Sequence, residues 1–67
     1  MTHTEYEEAM ARFERKAMRI IVREKNIGAI VDFVDPIIPG QKILAIQKRL
    51  MKCATVSEIR TVFDEEF

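Results

Sequence analysis

The chain has little of what catalytic, metal and phosphate-binding sites are built from. Its 67 residues include one histidine, His3, one cysteine, Cys53, and two glycines, Gly28 and Gly40. A metal site needs several His, Cys or carboxylate ligands at fixed spacing, and a nucleophile needs an adjacent base. Two isolated glycines cannot build a glycine-rich phosphate loop. We therefore expect no enzymatic activity, no metal and no cofactor.

A single cysteine also excludes an intramolecular disulfide and the disulfide frameworks of small secreted domains. Cys53 lies in an apolar stripe, which predicts a small core residue. The first residues are polar and acidic, unlike a signal peptide. No run approaches the roughly 20 apolar residues that span a bilayer. We expect the protein in the cytoplasm of a cell or of an infected host.

The length of the chain predicts one small domain, residues 1–67. A chain this short buries only about 60% of the surface that its unfolded form exposes. Hydrophobic residues make up 48% of it, which is too apolar for intrinsic disorder. A small core with this much apolar content is expected to gain further burial from self-association or from a partner. The size also fits the compact regulators that phages and mobile elements encode, by association only.

Apolar residues recur at steps of four and three near the N-terminus, which places them on one face of a helix. They are Tyr6, Met10, Phe13, Ala17 and Ile20. The spacing predicts a first helix from about Thr4 to Lys25, closed by a left-handed residue at Asn26 or Gly28. It is also a short heptad seam, so we predict that the protein self-associates through these residues.

The rest of the chain predicts further short helices. Residues 28–38 fit a short helix ended by Asp35-Pro36, with a strand as the alternative. From Gln41 a helix carries an apolar arc over about half its circumference, which predicts the centre of the core. The arc contains Ile43, Leu44, Ile46, Leu50, Met51 and Cys53. A corner at Ala54-Thr55 leads into a last helix, and the fold class is therefore an all-α bundle of three to four short helices.

Two details accompany these helices. Three pairs of threonine and glutamate fit a capping box: Thr2 with Glu5, Thr4 with Glu7, and Thr55 with Glu58. Among the methionines, Met10 and Met51 are expected to fill the core, while Met18 is the better candidate for an exposed contact.

Basic residues form a stripe along the first helix, because their spacing of four, three and four keeps them within a band of about 60°. The basic stripe consists of Arg12, Lys16, Arg19 and Arg23. Its like charges repel one another by a few tenths of a kcal/mol at about i,i+4 spacing, unless something neutralises them. Three interpretations stay open: a solvated face, a stripe that contacts phosphates, and a surface for an acidic protein.

The charges of the second half are also segregated, although the net charge is zero. The charged residues between Pro36 and Ser57 are all basic: Lys42, Lys48, Arg49 and Lys52. Behind them comes an acidic end, residues 64–66, which is either a solvated tail or a segment that docks on a basic face. In the docked case Phe67 would be an apolar anchor, and salt should weaken the contact.

Taken together, these patterns predict a small accessory or regulatory protein that acts by binding another protein. Charge would steer the encounter, and apolar anchors such as Phe13, Ile20 and Met18 would supply affinity. The alternative is a nucleic-acid-binding protein that uses the basic stripe, with Lys48 and Lys52. Zero net charge and the lack of aromatics among the basic residues oppose it. A third interpretation is a structural subunit of a larger assembly.

Overall fold

The computed structural model describes residues 3–66, with side chains from Thr4 onward, and contains no strand in that range. Helix α1 spans His3–Met18, α2 spans Gly40–Leu50 and α3 spans Val56–Glu66. A π-helical segment, Arg19–Arg23, extends α1, and a 3-10 helix follows at Ile27–Asp32. The predicted all-α fold is confirmed.

The π segment changes how the end of the first helix packs. The backbone N–H of Glu24 donates to the carbonyl of Arg19 at 2.9 Å, five residues back. A π turn holds more residues than an α turn and so shifts the following side chains around the axis. As a result the consecutive Ile20 and Ile21 are both buried, at 3% and 6% exposure.

The residue that closes this helix is not the one that the sequence indicated. Lys25 adopts the left-handed conformation, with φ of 56°. Asn26 has φ of −118°, and neither glycine has positive φ. The prediction of Asn26 or Gly28 was wrong, because the π turn ends the helix before either is reached.

Replacing Lys25 by glycine is therefore expected to stabilise the fold. Glycine adopts positive φ without the steric cost of a Cβ, so Lys25→Gly should raise the free energy of unfolding by about 0.5–1 kcal/mol. Urea unfolding followed by circular dichroism measures the change. Lys25→Ala removes the same charge but keeps the Cβ, and an equal gain in that control would contradict the backbone explanation.

The segment from residue 27 to residue 38 is helical only in its first half. The 3-10 helix ends at Asp32, and Phe33 is extended with φ of −69° and ψ of 131°. The predicted helix thus stops earlier than Asp35. The carboxylate of Asp35 accepts a hydrogen bond from the Ile37 N–H at 2.9 Å, which forms a turn across Pro36.

Three phenylalanines join the segments at the centre of the core. Phe13 of α1 is fully buried. Its ring stacks on Phe33 with centroids 4.1 Å apart and planes within 5°. Phe63 of α3 meets the same ring edge-on, at 5.2 Å and 86°. Offset stacked and edge-to-face pairs add about 0.5–1.5 kcal/mol beyond their buried area.

The apolar arc of α2 is buried on one side only. Ile43, Ile46 and Leu50 are core residues at 6% exposure or less. Leu44 and Met51 are 52% and 48% exposed. The expectation that Met51 fills the core was wrong, because α3 and the 3-10 helix cover only part of the arc.

Gln47 holds α2 against the 3-10 helix. It is a buried polar residue at 7% exposure. Its Nε2 donates to the carbonyl of Ile30 at 2.9 Å and to that of Phe33 at 3.5 Å. Buried carbonyls need such donors, since an unsatisfied buried acceptor costs free energy.

Gln47→Met keeps the size of the side chain and removes these donors. We expect it to lower the free energy of unfolding by about 1–3 kcal/mol, because the buried carbonyls lose their donor. Gln41 is exposed on the same helix, and Gln41→Met is the matched control, expected within about 0.5 kcal/mol of the parent. Equal stability of the two variants in urea unfolding would contradict this role.

The corner between α2 and α3 is a capping box, as predicted. The Glu58 N–H donates to Thr55 Oγ1 at 3.2 Å, and the Thr55 N–H donates to Glu58 Oε1 at 3.1 Å. The same oxygen accepts the Ala54 N–H at 3.0 Å. At the N-terminus, Thr4 is already inside α1, so it does not cap the helix, and Thr2 lies outside the described residues.

Candidate functional site

The basic stripe is held partly by contacts within the chain. Arg12 Nη2 pairs with Asp35 Oδ2 at 3.1 Å, and the Asp35 side chain is only 7% exposed. Burial opposes ionisation of that carboxyl, but the Ile37 N–H and the Arg12 guanidinium outweigh it and lower its pKa. Arg12 therefore fixes the turn before α2.

The other members of the basic stripe have weaker contacts. Lys16 Nζ lies 5.3 Å from the centroid of the Phe33 ring, a cation–π distance. Arg19 and Glu24 are 3.7 Å apart, with both side chains more than half exposed, so the pair contributes little. Arg23 is exposed in the π segment. An open depression of about 420 Å³ lies beside Arg12, Lys16, Arg19 and the neighbouring Arg15.

The acidic end of α3 docks on α2 within the same chain. Lys42 Nζ contacts Glu66 Oε2 at 3.2 Å, and Arg49 contacts Glu66 at 3.3 Å. Arg49 also pairs with Glu65. The hydrogen bond from Lys42 is the main cause of a lowered Glu66 pKa, and the bond to Glu65 is the main cause of a raised Arg49 pKa. The docked interpretation of the acidic end is thus confirmed for these two glutamates, whereas Phe67 lies outside the described residues.

The hydrogen bonds and ion pairs of Glu66, Glu58 and Asp35 predict that the protein loses stability in acid. The pKa values of Glu66 and Glu58 are lowered from 4.5, and that of Asp35 from 3.8. Their contribution is complete above these ordinary values and is lost as pH falls through the lower folded values. Urea unfolding should therefore give a free energy of unfolding that declines as pH falls from about 5 toward 2.

Glu66→Gln tests the docked end directly. The variant should be less stable than the parent at pH 7 and equal to it at the acid end of the same series. Added NaCl should reduce the difference in the free energy of unfolding between variant and parent at pH 7, because salt screens ion pairs near the surface. A difference that stays constant over pH and salt would contradict the ion-pair account.

Lys48 in α2 and Lys52 just after it differ from Lys42 and Arg49. Both are exposed, and neither makes an ion pair within residues 3–66. They do not join the basic stripe by close helix packing, because α1 packs mainly on α3, and α2 packs on α3 and the 3-10 helix. The structure therefore separates the predicted contact residues into two surfaces.

Two exposed apolar side chains share one side of α2 with Lys48. Leu44 lies in α2 and Met51 caps its C-terminal end in helical conformation, and their spacing of seven residues places Lys48 between them. Val31 and Val34 are 55% and 84% exposed. The carbonyls of Ile30 and Phe33, which each precede one of these valines, accept hydrogen bonds from Gln47. Gln47 is one helical turn from both Leu44 and Met51. We call the set of Val31, Val34, Leu44, Lys48, Met51 and Lys52 the α2 face.

Sequence reasoning missed the apolar part of the α2 face. It assigned Leu44 and Met51 to the core arc, and it placed Val31 and Val34 within the short helix of residues 28–38 without distinguishing exposed from buried positions. The signal that could have found the face is the width of that arc, which exceeds what two neighbouring elements can cover.

The predicted self-association seam is placed inside the chain's own core. Met10, Phe13, Ala17 and Ile20 are at most 3% exposed, and Tyr6 packs against the same core. Four of its five residues, including the expected anchors Phe13 and Ile20, therefore offer no surface to a second copy or to a partner in this fold. Self-association itself stays a prediction.

Cys53 is buried at the corner after α2, as expected of a small core residue. Its Sγ lies 3.5 Å from the carbonyl of Arg49. Burial, followed by the charge of Glu58, raises the pKa of the thiol, so it is protonated at neutral pH. Residues 3–66 contain no group of His, Cys, Asp and Glu side chains suited to a metal ion.

Comparison with protein-family models, curated proteins and solved structures found no match. Within the described range, none of the helices combines the length and apolar character needed to cross a bilayer.

Proposed function

We propose that this chain is a small accessory protein that acts by binding another protein through the α2 face. One observation carries the proposal: Leu44 and Met51 are about half exposed on one side of α2. Exposed apolar side chains that lie on the same side of a helix beside polar residues are typical of interaction sites. The free thiol of Cys53 fits a reducing compartment, so the cytoplasm is the proposed location.

The charges of the α2 face specify the chemistry of the partner. Lys48 and Lys52 are its cations, and Arg49 and Lys42 are already occupied by the acidic end of α3. An amphipathic segment with apolar anchors and carboxylates fits this arrangement, because the anchors supply affinity and the lysines steer the encounter. Met51 adds a flexible contact that adapts to the shape of the partner.

Two copies of the α2 face complement each other less well than the α2 face complements an acidic segment. A two-fold contact would bring Lys48 and Lys52 of both copies together, and like charges disfavour such a pairing. The proposal therefore favours a different, acidic partner over a homodimer through this surface.

Nucleic-acid binding through the basic stripe is the second candidate. The depression beside Arg12, Arg15, Lys16 and Arg19 favours it, since four cations converge there. Arg12 is however held by Asp35, and Arg19 lies near Glu24. Phosphate binding would also leave the exposed apolar groups of α2 without a role.

Site-specific photo-crosslinking in cells that produce the protein tests the proposal. A photoreactive residue at Leu44 should capture one partner protein, identified by mass spectrometry, while the same residue at exposed Arg60 on α3 should not. In a binding assay with that partner, Leu44→Glu should raise the Kd by ~30-fold or more, because binding loses an apolar hot spot. Capture at both positions, or an unchanged Kd, would refute the α2 face.

Charge reversal separates the two candidates. Lys48→Glu with Lys52→Glu should slow association with the protein partner, and Lys16→Glu with Arg19→Glu should leave it unchanged. The opposite pattern, together with a salt-dependent shift of DNA or RNA that only the stripe variant loses, would replace the proposal by nucleic-acid binding.

A further inference from the structure

A groove of about 490 Å³ lies between the end of α2 and the start of α3. Its volume is within the range of about 300–1,000 Å³ that small-molecule sites occupy. Lys48 of α2 and Lys52 of the turn after it line one side, and Ser57 and Thr61 of α3 line the other. The groove is separate from the apolar side chains of the α2 face, although the two surfaces share the lysines.

The groove has positive charge available for a ligand. Arg49 also lines it, but its guanidinium is engaged by Glu65 and Glu66. Lys48 lies in α2 and Lys52 in the turn that follows it, and neither makes an ion pair within the described chain. Because both line the same groove, an anionic group bound there can contact either ammonium group.

The one carboxylate of the groove is already used. Glu58 lines the groove, but its Oε1 accepts hydrogen bonds from the Ala54 N–H, the Thr55 N–H and the Thr55 hydroxyl at 3.0–3.1 Å. These bonds lower the Glu58 pKa and direct the carboxylate to the corner before α3. It therefore caps the helix and does not pair with Lys48 or Lys52.

The floor of the groove is apolar. Cys53 and Val62 line it with 8% and 5% exposure. Because the Cys53 thiol is neutral, it behaves as a small apolar group. The alkyl stems of Lys48 and Lys52 extend the apolar surface below their charged ends.

We propose that this groove binds a small organic anion with an apolar tail, such as a medium-chain carboxylate. The carboxylate lies between Lys48 and Lys52, and the tail covers Cys53 and Val62. This adds a small-molecule site to the proposed protein contact and does not depend on it.

Titration of the full ¹⁵N-labelled chain by NMR tests the proposal, with octanoate, butyrate and octyltrimethylammonium as probes. Octanoate should give saturable shifts centred on Cys53, Lys52 and Thr61. Its Kd should be at least tenfold lower than that of butyrate, because a longer tail buries more apolar surface. The cationic probe should bind at least tenfold more weakly than octanoate. Shifts spread over the whole chain, or equal Kd values for the three probes, would overturn the proposal.

Two pairs of variants locate the site. Lys48→Gln with Lys52→Gln should weaken octanoate binding at least tenfold, whereas Arg15→Gln with Arg23→Gln changes the net charge equally and should not. Thr61→Trp fills the groove and should abolish binding, while Thr4→Trp at an exposed site on α1 is its matched control. Equal effects within either pair would overturn the proposal.

The same variants keep the two proposals distinguishable. Thr61→Trp leaves Leu44 and Met51 unchanged, so protein capture at Leu44 should persist in it. Leu44→Glu lies outside the groove and should retain octanoate binding. Circular dichroism confirms that each variant is folded before it is compared.

Discussion

The packing of Phe13 is the contact on which the rest of the structure depends. Its ring touches Phe33 on one face and Phe63 at an edge, so three separate parts of the chain meet at one buried side chain. A chain of 67 residues has a small core. The position of the 3-10 helix, and through Gln47 the position of α2, follows from this cluster. Both proposed binding surfaces are therefore built on elements that Phe13 orders.

Ion pairs within the chain determine which cationic side chains remain available to a partner or a ligand. The first helix uses Arg12 to hold Asp35, and α2 uses Lys42 and Arg49 to hold the end of α3. Carboxylates near the C-terminus of a helix oppose its macrodipole, and the cations of α2 compensate for this in α3. Lys48 and Lys52 line the same groove as Arg49 but make no ion pair within the described residues. A net charge of zero therefore coexists with a locally basic surface.

Much of the fold could be predicted from periodicity and capping. The buried positions of α1, the capping box at Thr55 and Glu58, and the core residues of α2 all followed from local patterns. The π turn and the left-handed Lys25 could not be predicted, because no local pattern of helix formers or capping residues specifies them. The exposure of Leu44 and Met51 depends on which neighbours cover α2, and that is tertiary information. The same holds for the groove, whose walls come from two helices joined by a corner.

The π segment between Arg19 and Arg23 has the geometry of a helix with one extra residue in a turn. The wide turn accommodates that residue, so the chain that follows keeps nearly the direction that a regular helix would give it. Deleting one residue there would leave an α-helix on nearly the same path, whereas inserting one more would rotate the chain that follows by about 100° relative to α1. A deletion within Arg19–Arg23 should therefore disturb the contact between Phe33 and Phe13 less than an insertion there.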